Sequence, residues 1–296
     1  MEKASEWLSS FNSNYQDEVN ALISTKNEQR KHTFTMAITG GKGGVGKTSV
    51  SLKLAKELSD QGFKTLLIDC DYNLSNTAIK LGLPLSNTFY DLVSAQKSFD
   101  ECIHRKGDFH LLAACNGSID LFDTDLKLEE VIIDIINTHS ENYDFVLLDC
   151  PAGLTRESLI LNAYCDKRIV VVTPDRSSIT DSYSMIKVLN KKFGINENDL
   201  LVNMVNSKGQ FEKIVKTLSE TTENFLNVRT KILGGIHKLN IVASQFDEYF
   251  LNTGNNGHHE SFLKVVRKLS EELSNRYQTI PSQGNGDRGF FEQEVH

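Results

Sequence analysis

Seven short apolar runs rich in β-branched residues punctuate the chain from about residue 33 onward: TFTMAIT, KTLLID, DFHLLAA, YDFVLLD, KRIVVVTP, DLLVNMV and KILGGIH. They are too short for core helices and too continuously apolar for strands with one wet face. They therefore predict strands covered on both sides, the habit of a parallel sheet. Most are separated by helix-length segments. Three of these, at 46–60, 126–138 and 179–193, carry apolar residues three and four positions apart, as a helix lying on a sheet requires. The predicted fold is α/β, a mostly parallel central sheet with helices on both faces. It forms a single domain over 33–277 without an internal repeat or a dividing linker.

The same pattern sets the two ends apart. Within residues 1–32, Trp7, Leu8, Phe11, Tyr15, Val19, Leu22 and Ile23 fall on one helical stripe, with Glu6, Asp17, Glu18 and Lys26 elsewhere. This predicts an amphipathic arm that either docks on its own domain or binds a partner, since a lone helix of this length is marginal. Residues 278–296 are polar and Gly-rich, with Arg288 their only Lys or Arg, and are expected to be disordered.

Composition changes this picture little. With 296 residues and 39% hydrophobic content the chain can bury a substantial core. A net charge of −7 argues against broad, charge-driven attachment to nucleic acid. A local basic face over 185–240, with nine Lys/Arg against five Asp/Glu, is compatible with a solvated helical surface. Cys70, Cys102, Cys115, Cys150 and Cys165 form no C-x-x-C pair and read as buried free thiols. Neither a signal peptide nor an 18-residue apolar segment occurs, so a cytoplasmic location is expected. Attraction of the tail to anionic lipid is expected to be weak.

The chemistry is concentrated at strand ends. After TFTMAIT comes GGKGGVGKTS, in which Gly41, Gly46, Lys47 and Thr48 match the G-x4-G-K-[ST] phosphate loop, with Lys42, Gly43, Gly44, Val45 and Ser49 completing the cradle. Loop and helix N–H groups can converge on phosphate oxygens, Lys47 can reach the β- and γ-phosphates, and the Thr48 hydroxyl can face Mg²⁺. FVLLDCPAG ends a second strand in Asp149, suited to hold Mg²⁺ and its waters. LLIDCDYNLSN ends a third in Asp69, with Asp71 projecting beyond it, where a carboxylate can orient or deprotonate a water attacking a γ-phosphate. One such aspartate would be an ordinary strand terminator. Three behind a full phosphate loop form a candidate ATP, ADP and Mg²⁺ site, with Thr48, Asp69 and Asp149 toward the metal.

GGKGGVGKT, the D-x-D of Asp69 and Asp71 followed by NLSN, and DCPAG together resemble the deviant Walker A ATPases of the MinD/ParA family, over about residues 34–275. The resemblance implies a slow ATPase that dimerises with ATP, Lys42 crossing to the nucleotide of the second subunit. Outside the motif Lys42 would be a solvated loop lysine. It also implies that Asn203 contacts adenine and that Pro174 and Asp175 lie near the nucleoside. The segment VVVTPDRSSITDSYSMIKVL and the length of the N-terminal arm resemble the flagellar-number regulators, the FlhG branch. That branch implies a signal-recognition-like GTPase of the FlhF type as partner of the arm, flagellar basal-body or transcription regulators as further candidates, and recruitment to the cell pole or inner membrane face. Two features depart from the family: the proline-containing segment after the last strand appears as GGIHKLN, and no basic amphipathic helix closes the chain. A ParA-type segregation ATPase and a MinD-type division-site regulator are the alternative readings.

Overall fold

The computed structural model of the chain describes residues 20–21, 33–71, 77–84, 89–114, 127–241, 247, 249–251 and 257–279. Nearly all of the N-terminal arm, residues 280–296, Cys115 and the NLSN segment lie outside the described residues.

All seven apolar runs are strands: β1 (Phe34–Thr39), β2 (Thr65–Asp69), β4 (Phe109–Leu112), β5 (Phe145–Asp149), β6 (Lys167–Val172), β7 (Glu197–Val205) and β8 (Arg229–His237). An eighth, β3 (Ile103–Lys106), was not legible as a strand, because only Ile103 of its four residues is buried. It pairs antiparallel with β4, whereas every other pairing is parallel. The strand order is β3-β4-β2-β5-β1-β6-β7-β8, so the strand bearing the phosphate loop sits near the middle.

The helices with predicted ranges are α1 (Lys47–Asp60), α5 (Leu128–His139) and α7 (Arg176–Phe193). Shorter turns of helix, α2 (Thr77–Lys80), α3 (Phe89–Val93) and α4 (Phe99–Cys102), follow β2, and α6 (Arg156–Tyr164), α8 (Lys208–Leu226) and α9 (Gly257–Thr279) lie further along the chain. Helix α7 begins earlier than its apolar stripe because Asp175 caps it, accepting from the Ser178 N–H at 2.9 Å.

Alternation along the buried strands distributes side chains to two layers. Phe145 and Leu147 of β5 join Leu54, Leu58, Phe262 and Val266 of α1 and α9 on one face. Val146 and Leu148 join Ile132, Ile136, Ile160 and Leu161 of α5 and α6 on the other. Both faces being covered, a strand here needs no polar alternation, which is why the runs were apolar throughout. Residues beyond the last apolar position of β1, β2 and β5 thereby emerge at one edge of the sheet.

Candidate functional site

The loop between β1 and α1 is shaped by where a Cβ cannot go. At Gly46 the backbone is left-handed, with φ 90°, and a Cβ would lie 2.5 Å from the Asn203 amide nitrogen. At Gly41 a Cβ would lie 2.2 Å from the Asp181 carbonyl carbon, so the loop is seated directly on α7. Gly46 gives α1 no side-chain cap and the first turn holds no acid. The N–H groups there, at Lys47, Thr48 and Ser49, are therefore presented to a ligand rather than to a side chain.

Lys47 is only 9% exposed. Among the described residues its Nζ has a single long contact of 3.5 Å, to the Lys42 carbonyl oxygen. Burial lowers its pKa, opposed chiefly by the field of Asp149 and also by Cys150 and Asp71. A nearly buried ammonium with so weak an acceptor suits an anionic ligand.

Beneath it, β2 and β5 bring Asp69 and Asp149 side by side in parallel register. Both are buried. Burial and the neighbouring Asp69 push the Asp149 carboxyl up to about 7, with hydrogen bonds from Thr48 and Ser51 opposing. The Ser51 hydroxyl donates to Asp149 Oδ1 at 3.0 Å, and Asp149 Oδ2 has no hydrogen-bond partner among the described residues. Asp69 is occupied otherwise, accepting the Asp71 N–H at 3.0 Å and the Thr77 hydroxyl at 2.5 Å. It thus organises the turn that carries Asp71, which is partly buried and acts electrostatically on Lys47. An orphaned carboxylate oxygen beside the Thr48 hydroxyl, in a pocket of hard oxygen donors, fits Mg²⁺, which binds through one or two carboxylates and keeps its other positions for water and phosphate. Cys70 and Cys150 follow these aspartates, and burial pushes both thiols well up, so they are inert neighbours.

Lys42 points the other way. Its Nζ meets Asp175 Oδ1 at 3.0 Å and the Ser177 hydroxyl at 2.6 Å, both within this chain, and the pair is roughly half exposed. Hydrogen bonds from Ser177 and then Thr173 hold the Asp175 carboxyl well below the usual carboxylate range. A cavity of about 380 Å³ opens between the loop, the turn that leads into α7 and the ends of β7 and β8, and Lys42, Gly43, Gly44, Val45, Pro174 and Asp175 line it.

Asn203 reaches the site through an irregularity. Val202 pairs with Gly235 and Val205 with His237, so Asn203 and Met204 together face Ile236 alone, a β-bulge in which Met204 has φ 58°. The bulge turns Asn203 onto the loop: its amide donates to the Val45 carbonyl at 2.9 Å and accepts the Met204 N–H at 2.9 Å. Each amide group retains a second hydrogen-bonding capacity. Sequence reasoning missed five further residues on the cavity wall, Thr173, Met204, Asn206, Gln210 and Lys238. The available signal was their place at or just beyond the ends of β6, β7 and β8, at the sheet edge that bears the loop.

A phosphate loop on a parallel sheet, with a carboxylate-and-hydroxyl pocket beneath it, defines a P-loop nucleotide-binding protein. The family model described as an AAA domain matches residues 33–200. The antiactivator FleN of Pseudomonas aeruginosa is 31% identical over 202 residues, 68% of this chain and 72% of FleN. The cell division ATPase MinD of Pyrococcus furiosus superposes with a TM-score of 0.65 at 22% identity, covering 81% of this chain and 99% of that one. MinD of Pyrococcus horikoshii, solved with Mg-ADP, gives 0.63 at 21% identity, covering 82% and 98%. The chain belongs to the MinD/ParA family of P-loop ATPases, and its likeness within that family is to the FlhG regulators that FleN represents. Among the described residues no helix is long and apolar enough to cross a membrane.

Proposed function

We propose that the chain is an ATP-gated switch that dimerises with ATP, hydrolyses it slowly, and regulates the number or placement of flagella. The observation that carries the reading is the pair of opposed needs at one strand edge: among the described residues, a nearly buried Lys47 ammonium with one long acceptor, above Asp149 with an unpartnered oxygen. Mg-ATP answers both. When bound, Mg²⁺ supplies charge neutralisation and polarisation of the phosphates, and Thr48 and Asp149 hold it with Asp69 behind. Lys47 and the loop N–H groups orient the β- and γ-phosphates. Asp71 positions the attacking water. The Asn203 amide keeps a free donor and acceptor suited to the N6 and N7 edge of adenine.

Lys42 gives the reading its dimeric part. Held at half-exposed Asp175 and Ser177, it is available to a second subunit's nucleotide at the cost of a surface ion pair, worth about 0–1 kcal/mol. The flagellar assignment is supported by the likeness to FleN, and residues 1–32 are its proposed contact to an FlhF-type GTPase. Action at the cell pole or inner membrane face then follows from partners.

The test uses two variants. Asp71→Ala is expected to bind Mg-ATP and dimerise but to lose about 10²–10³ in single-turnover rate. Lys42→Ala should bind ATP and remain monomeric in light scattering. Wild-type turnover in the first would remove Asp71 from catalysis, and a normal ATP dimer in the second would end the crossing role of Lys42.

A further inference from the structure

A second recess lies beside β8, away from the phosphate loop. It is a groove of about 620 Å³, floored by Ile232, Leu233 and Gly234 and walled by Phe211 of α8 and by Lys264 and Arg267 of α9. Strand β8 ends the sheet, paired only with β7 among the described residues. Ile232 pairs with Leu200 and Gly234 with Leu201, so Leu233 is an extra residue that bulges the edge. Lys268 donates to the Ile232 and Leu233 carbonyls at 2.9 and 2.8 Å, which satisfies that stretch. Beyond it, Gly234 and Gly235 have no side chain to cover the backbone, and the Phe211 ring lies 2.8 Å from where a Gly235 Cβ would be. The rim is cationic. Lys264 and Arg267 are exposed and form no ion pair among the described residues.

We propose that this groove is the docking site of the chain's own segment 290–295, FFEQEV, laid along β8 as an added strand. With the two-residue period of a strand, Phe291 and Val295 face the Phe211 wall, and Glu292 and Glu294 face Lys264 and Arg267. Main-chain bonding to the bare glycine edge supplies affinity, and the acidic pair supplies orientation. The connection is long enough: Lys264 lies about 22 Å along α9 from Thr279, and residues 280–289 can span about 33 Å. Four glycine or proline residues in that connection, Pro281, Gly284, Gly286 and Gly289, suit the reversal it must make.

The experiment is amide hydrogen exchange on the full chain without nucleotide. The β8 amides are expected to exchange at least about tenfold more slowly in the wild type than in Phe290→Ser/Phe291→Ser, at every protein concentration. Lys264→Glu/Arg267→Glu should lose the protection, and adding Glu292→Lys/Glu294→Lys to it should restore it. Equal exchange in wild type and tail variant would overturn the proposal. So would protection that grows with protein concentration, which would assign the groove to a second copy, or failure of the charge reversal to restore protection.

Discussion

Two nearly buried lysines stand at opposite ends of the sheet, and their difference separates what folds the molecule from what it binds. Lys167, 5% exposed at the start of β6, has Asp199 at 3.1 Å and Glu272 of α9 in direct contact. Its charge is answered within the chain, and the bonds fasten α9 to the sheet. Lys47, 9% exposed at the start of α1, has one hydrogen bond among the described residues, the long contact to a carbonyl, and feels Asp149 only through its field. A buried cation with its counterions in the chain is architecture. One without them is a receptor for an anion.

The comparison can be broken most directly at Lys167. Lys167→Ala leaves Asp199 and Glu272 uncompensated and is expected to cost about 3–5 kcal/mol in denaturant unfolding while ATP affinity of the folded fraction is kept. Lys47→Ala should do the reverse: ATP affinity in calorimetry falls at least about 100-fold, and the melting temperature holds or rises because a desolvated charge is gone. Unchanged ATP affinity in that variant would sink the assignment of the site.

Asp199 sharpens the contrast through pH. Burial, opposed by Lys167, pushes its carboxyl up to about 6. A folded-state pKa above the unfolded value means that the folded state holds the proton more tightly. The stability due to this group is therefore full below about pH 4 and lost as pH rises through about 6, an amount on the order of 2–3 kcal/mol. Asp199→Asn removes that dependence. Its stability relative to wild type should climb across this window, and a constant difference between pH 4 and 7 would contradict the account. The smallest effect is expected at Asn203→Ala, which removes the brace on Val45: about 1 kcal/mol in stability and a several-fold loss in ATP affinity. Loss of stability alone would make Asn203 a purely structural brace.

Strong periodicity and the phosphate-loop spacing made much of this protein legible beforehand. The seven buried strands, the α/β class, and the placing of Lys47, Thr48, Asp69, Asp71 and Asp149 at one sheet edge follow from local rules, because strand burial and loop chemistry are written in contiguous residues. Strand β3 escaped because Arg105 and Lys106 are exposed and His104 is only partly buried, so no apolar run marks it. The early start of α7 escaped because its first turn rests on the Asp175 cap rather than on an apolar stripe.

Tertiary structure decided the rest. That Asn203 grips Val45 depends on a bulge in β7 and a left-handed Met204, and no local preference of methionine announces either. That Lys42 is held by Asp175, 133 residues away in the chain, and Lys167 by Glu272, 105 residues away, depends on which helix the sheet brings alongside. A single sequence lists its charges but not which of them will meet. Whether a lysine becomes a fastener or a receptor is settled only when packing assigns it a counterion or withholds one.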